Sequence, residues 1–122
     1  MQTLNENSIV VGVDVHKYNH SAFAMDAWGK ERGRLDFSNI NLDRCTQWLQ
    51  ELGSKDNIIV GLEDVNSYGI HLTEKLRTER YHIRYVPAIL TERERKRSTK
   101  RHKSDMVDAQ RVGKVILSKY EE

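Results

Sequence analysis

Apolar residues in this chain gather in two short, almost uninterrupted runs, with alternating and helical patterns around them. Ile9–Val15 reads Ile-Val-Val-Gly-Val-Asp-Val, and residues 57–63 read Asn-Ile-Ile-Val-Gly-Leu-Glu. Runs this short, rich in β-branched side chains and lacking polar alternation, suit strands covered on both faces. Both are expected at the centre of a sheet. Each carries a carboxylate at its C-terminal end, Asp14 and Glu63, and by the two-residue period Asp14 shares a face with Val10 and Gly12. A lone acid in such a place more often starts a turn than performs chemistry, so neither one suffices by itself.

Residues 16–19 read as a turn, 21–26 as a strand, 28–30 as a turn and 31–37 as a third strand, in which Gly33, Leu35 and Phe37 alternate with Arg32, Arg34 and Asp36. Together with the first run they predict an antiparallel meander. Asn41 is the expected N-cap of a helix through Leu52, with Leu42, Cys45, Leu49 and Leu52 facing inward and Gly53 ending it. After the second run, a loop leads from Ser67, the expected N-cap, into a helix to about residue 78 that turns Leu72 and Leu76 inward. Residues 81–86 form the last predicted strand, closed by Pro87. Two strands joined through a crossover helix run parallel. Asp14 and Glu63 are therefore expected side by side, at the sheet edge where open α/β folds place their sites.

The C-terminal segment supplies two more acids. If residues 104–118 are helical, with Ser104 as N-cap, then Asp105, Asp108, Ala109, Val112 and Ile116 share one face. Docking that face on a core carries two like charges towards low dielectric, which requires a positive partner. Acids are favoured in a first helical turn by the helix dipole, but that does not explain why both follow the apolar stripe, nor why two buried strands also end in acids. Asp14, Glu63, Asp105 and Asp108 are accordingly the candidate catalytic and metal-binding residues. Their oxygen-only donor set suits Mg²⁺ or Mn²⁺, and two such ions about 3.5–4 Å apart serve phosphoryl transfer on nucleic acid.

At 122 residues the chain is expected to form one domain, and 38% hydrophobic residues suffice for one modest core. A net charge of +2 says little, but its distribution says more. Arg93, Arg95, Lys96, Arg97, Lys100, Arg101 and Lys103 stand directly before the acidic helix, opposed only by Glu92 and Glu94. Such runs are commonly solvated loops; at this position the run is expected to hold phosphates without reading sequence. Lys17 is an ordinary turn residue with a further candidate phosphate contact. His20 and Trp28 read as packing or surface residues. Cys45 is the single cysteine, which excludes a disulfide framework and a cysteine zinc site and suits a cytoplasmic setting. No run approaches transmembrane length and no secretory signal is visible.

Three motifs now stand in order: Val11-Gly12-Val13-Asp14-Val15-His16-Lys17; Val60-Gly61-Leu62-Glu63 with Ser67-Tyr68-Gly69; and Lys103-Ser104-Asp105-Met106-Val107-Asp108-Ala109. They resemble the N-terminal domain of the DEDD transposases, the insertion-sequence family that includes pilin-inverting and bridge-RNA-guided recombinases, over essentially the whole chain. The resemblance implies an α/β, ribonuclease H-like fold similar to the Holliday-junction resolvase RuvC, with a central mixed five-stranded sheet of antiparallel meander and parallel strands and flanking helices. It implies that Asp14, Glu63, Asp105 and Asp108 are the DEDD tetrad on Mg²⁺. It also implies DNA recombination, multimeric action and, in some members, a structured guide RNA. Asp64-Val65-Asn66 departs from the small residues and glycine usual after the glutamate. The family's second domain, bearing a serine proposed as nucleophile, does not follow, so residues 1–122 are expected to be a catalytic fragment lacking complete recombination activity. Two other readings compete: a nucleic-acid-binding fragment whose acids assemble only with a missing domain, and a sugar-kinase or actin-like half-domain in which Gly12-Val13-Asp14 cradles ATP phosphates. Short length and the lack of a second glycine-rich loop count against the latter.

Overall fold

The two apolar runs are the middle of a five-stranded sheet. A computed structural model describes residues 4–63, 67–87 and 105–121. Strands β1 (Ile9–Val15), β2 (Asn19–Asp26) and β3 (Glu31–Ser38) form the predicted meander, followed by helix α1 (Asp43–Leu52), strand β4 (Ile58–Glu63), helix α2 (Ile70–Thr78), strand β5 (His82–Tyr85) and helix α3 (Asp105–Glu121). The strand order is β3-β2-β1-β4-β5. β1 pairs antiparallel with β2, and β1–β4 and β4–β5 are parallel. This mixed sheet with helices on its faces is a ribonuclease H-like arrangement.

Both faces are covered, which is why β1 and β4 lack polar alternation. On one side Ile9, Val11, Val13, Ile58, Val60 and Leu62 pack with Cys45 and Leu49 of α1 and Leu72 and Leu76 of α2. On the other, Val10, Phe23, Met25 and Ile59 pack against Ala109, Val112, Val115, Ile116 and Leu117 of α3. Full burial of an aliphatic side chain such as Leu49 or Leu72 stabilises the fold by roughly 1.5–3 kcal/mol. The outer strand β3 guards its edge with exposed Glu31, Arg32, Arg34 and Asp36.

Three expected helix boundaries differ. Asn41 does not cap α1: Asn39–Asn41 form a 3₁₀ turn, and the helix starts at Asp43 behind Leu42 without a side-chain cap. The reason lies two residues earlier. The Asn39 backbone N–H donates to Tyr18 O and its side-chain amide to Lys17 O, both at 3.0 Å, which ties this segment to the β1–β2 turn and delays the helix. Ser67 likewise does not cap α2. It sits at φ 61°, in the left-handed region, and Gly69 takes the cap position. α3 runs on to Glu121, past residue 118; its expected cap, Ser104, lies outside the described residues. β5 is shorter than expected because Tyr81 N–H closes α2 on Leu76 O at 2.9 Å.

Candidate metal centre

The parallel register of β1 and β4 pairs Asp14 with Glu63. Alternation turns both towards the side that α3 covers, along with Val10 and Gly12 on one strand and Ile59 and Gly61 on the other. Gly12 and Gly61 are also register partners, and they form a floor without side chains. A Cβ on Gly12 would run into the Ala109 carbonyl and the Gly113 amide, and one on Gly61 would lie 2.7 Å from Ile116 Cγ1. Gly113 adds its own lack of bulk over Gly12 and Met25. The helix therefore rests almost on the strand backbone, and its first turn reaches the strand ends.

His16 joins the acids there. Its Nε2 lies 2.7 Å from Asp14 Oδ2 and 3.2 Å from Asp105 Oδ1. One donor atom from each of Asp14, His16 and Asp105 lies within 4.8 Å of the other two. Glu63, half-buried at the end of β4, and Asp108 border this trio and are not members of it. Asp108 Oδ1 accepts from Arg111 NH1 at 2.8 Å, and Arg111 is only 4% exposed. Among the described residues, His16 and Arg111 thus supply positive partners to the acidic stripe. Of the three carboxylates around His16, Asp14 alone is buried; Asp105 stays exposed.

Burial pushes the Asp14 carboxyl up to about 6, against the opposing pull of His16, with Asp108 and Asp105 adding to the rise. Burial works against a charge on His16, but its hydrogen bond to Asp14 and the nearby charges of Asp14, Asp105 and Asp108 outweigh it, so the imidazole titrates above its ordinary value. When it is protonated, the ring donates from Nε2 to the Asp14 carboxylate. Of His20 and Trp28, read as packing or surface residues, His20 is buried, with Nδ1 accepting from His16 N–H at 3.3 Å, and Trp28 is exposed. Cys45 is buried in the core, its thiol pushed up to about 12 by burial.

Sequence reasoning missed the parts of His16 and Arg111. His16 follows Asp14 by two residues, the same-face spacing of a strand, and Arg111 follows Asp108 by three, the spacing of a helical ion pair. Both signals were present. Lys17 is exposed beside the cluster, with Nζ 5.3 Å from the Tyr18 ring centroid. Arg93, Arg95, Lys96, Arg97, Lys100, Arg101 and Lys103 lie outside the described residues.

The donor set fits a hard divalent cation. Within reach of one ion stand the buried Asp14 carboxylate from the end of β1, the Asp105 carboxylate from the first turn of α3 and the His16 imidazole, two oxygen donors and one borderline nitrogen. Fold and cluster together define a ribonuclease H-like domain with acids at the C-terminal ends of its two central strands. The chain matches the model of the IS110-type DEDD transposases, described as Transposase, over residues 11–121, and it belongs to that family. No curated protein matches it. No helix among the described residues is long and apolar enough to cross a membrane.

Proposed function

We propose that this chain is the metal-dependent catalytic domain of a transposase, taking part in cleavage and exchange of DNA strands as an insertion sequence moves. One observation carries the reading: Asp14 and Glu63 are register partners, and α3 brings Asp105 onto the same imidazole as Asp14. Asp14, Glu63, Asp105 and Asp108 would hold Mg²⁺ or Mn²⁺, two ions in all, through carboxylate oxygens. Such ions, when bound, activate the attacking group and stabilise the leaving oxygen of a phosphodiester.

The remaining roles belong to the protein. Asp14, fixed by the β1 ladder, anchors the cluster. His16 shares its Nε2 proton with Asp14 and Asp105 and keeps the two carboxylates from splaying apart. Arg111 orients Asp108 by holding one of its oxygens. Lys17 and the basic stretch of residues 93–103 would contact DNA phosphates. A structured guide RNA, self-association in a longer protein and a cytoplasmic setting belong to the same proposal.

Nicking of supercoiled plasmid DNA by this chain tests it. Nicking that needs Mg²⁺ or Mn²⁺ and disappears in Asp105→Asn supports the reading, and a folded chain that binds DNA without nicking it under any metal condition contradicts it. That second result is the outcome of the competing reading, a binding fragment whose acids close only with a further domain. Glu63 and Asp108 standing outside the convergent trio, with Asp108 engaged by Arg111, is the observation in its favour.

A further inference from the structure

The turn after β1 is held more firmly than a solvent-exposed connection requires. Asn39 donates its backbone N–H to Tyr18 O and its side-chain amide to Lys17 O, each at 3.0 Å, and its Oδ1 lies 2.7 Å from His20 Nε2. His20 is 1% exposed and accepts the His16 N–H on Nδ1, so Nε2 carries the proton that Asn39 receives. Two successive carbonyls and one amide of a short turn are thereby fixed from β2 and the segment after β3. What the turn presents outward is Lys17 and Tyr18, the latter 67% exposed. An aromatic ring this open buries little apolar area for stability, yet its backbone is immobilised. That is the arrangement of a preorganised contact.

Beside the ring lies a groove of about 790 Å³ that runs from His16 and Asp105 to Asn41 and Arg44 at the start of α1. Two carboxylates line it. Asp105 belongs to the acid cluster, and Asp36 accepts the Ser21 hydroxyl at 2.7 Å. Lys17 and Arg44 also line it, and neither forms an ion pair with a described residue. The groove thus offers two cations without an ion-pair partner among the described residues, of which Lys17 lies over one face of the Tyr18 ring, 5.3 Å from its centroid, and a ring still 67% exposed, leading to the acids.

We propose that this groove is a subsite for an unpaired stretch of DNA strand, with Tyr18 stacking on a base and Lys17 and Arg44 holding the flanking phosphates. The proposal rests on the DNA-cleaving reading of the acid cluster. Stacking requires a base whose face is exposed, which a paired duplex does not offer, and it is indifferent to base identity. Two point cations fix backbone position and read no sequence. The groove delivers a single strand to Asp105 and Asp14 with its phosphates in register and its sequence unread.

Binding of a short fluorescein-labelled oligothymidylate to the 122-residue chain, followed by anisotropy in EDTA, tests this. Tyr18→Ala is expected to bind about tenfold more weakly, and Tyr18→Phe to match wild type, since the ring and not the hydroxyl does the stacking. The Lys17→Ala, Arg44→Ala double variant is expected to flatten the slope of log affinity against log salt by about 1.4, two phosphates at roughly 0.7 each. Arg77→Ala, an exposed cation on α2 away from the groove, should leave the slope within error. All these positions are exposed, so the variants keep the fold, which thermal melting verifies. Wild-type affinity unchanged by Tyr18→Ala, equal slope loss in Arg77→Ala, tighter binding of oligouridylate than oligothymidylate, or no binding at all would each overturn the subsite. Because EDTA removes metal, loss of plasmid nicking with this series intact overturns the metal reading alone.

Discussion

Gly12 and Gly61 are register partners on adjacent parallel strands, and α3 lies across both. This pair sets the height of the helix above the sheet and therefore the distance from Asp105 to Asp14. At Gly12 the obstacle to a Cβ is helix backbone, which cannot move away without moving the helix. At Gly61 it is the Ile116 side chain, which can turn aside.

Gly12→Ala is accordingly expected to destabilise the domain by about 3 kcal/mol, at the upper end of overpacking costs, and to lift the first turn of α3 from the strand ends. Gly61→Ala should cost about 1–2 kcal/mol. Urea denaturation gives both values. A Gly12→Ala protein no less stable than Gly61→Ala would contradict this account of α3 docking.

The buried Asp14 makes the metal-free domain pH-sensitive. Its folded pKa of about 6 lies above the ordinary 3.8, so its contribution to stability is present below the unfolded value and is lost as pH rises through 6. His16, raised by the surrounding acids, likewise gives stability below 6.5 and loses it as pH climbs through its higher folded value. Asp14→Asn keeps an oxygen to accept from His16 but cannot ionise. In EDTA the variant should match wild type near pH 4 and exceed it by roughly 2 kcal/mol above pH 7. Denaturation midpoints at the two pH values decide it, and a variant less stable at the higher pH would argue against a buried, costly carboxylate.

Arg111 is expected to be intolerant of change. Truncation to Ala removes a nearly buried cation from Asp108 and should cost about 3 kcal/mol or more. Arg111→Lys should recover only part of this, because an ammonium on a flexible stem does not reproduce the planar donor set. Full recovery by Lys in thermal melting would mean that charge alone matters.

The strand core and its acids were legible because the signal is local. β-branched runs without polar alternation identify doubly covered strands, and the crossover rule then makes Asp14 and Glu63 neighbours, as the register bears out. The apolar stripe of α3 was legible for the same reason: Ala109, Val112 and Ile116 are buried as their spacing predicts. What sequence concealed was competition between partners. Asn41 looked like a cap, but Asn39 anchors the preceding turn and shifts the helix start. The acids called for a positive partner, and the pattern suggested an external cation. His16 and Arg111 add positive charge beside those acids from within the chain; their spacings stand in the sequence, but such spacings are common and three-dimensional contact singles these two out.

Whether these carboxylates form a metal site is decided by calorimetric titration of the domain with Mg²⁺ and Mn²⁺, with an Asp14→Asn, Asp105→Asn double variant alongside. Saturable binding to wild type that the variant loses is the expected result, accompanied by proton release at pH 6 as the cation displaces protons from Asp14 and His16. A folded wild-type domain that takes up no metal, or a double variant that binds it equally well, would contradict the claim.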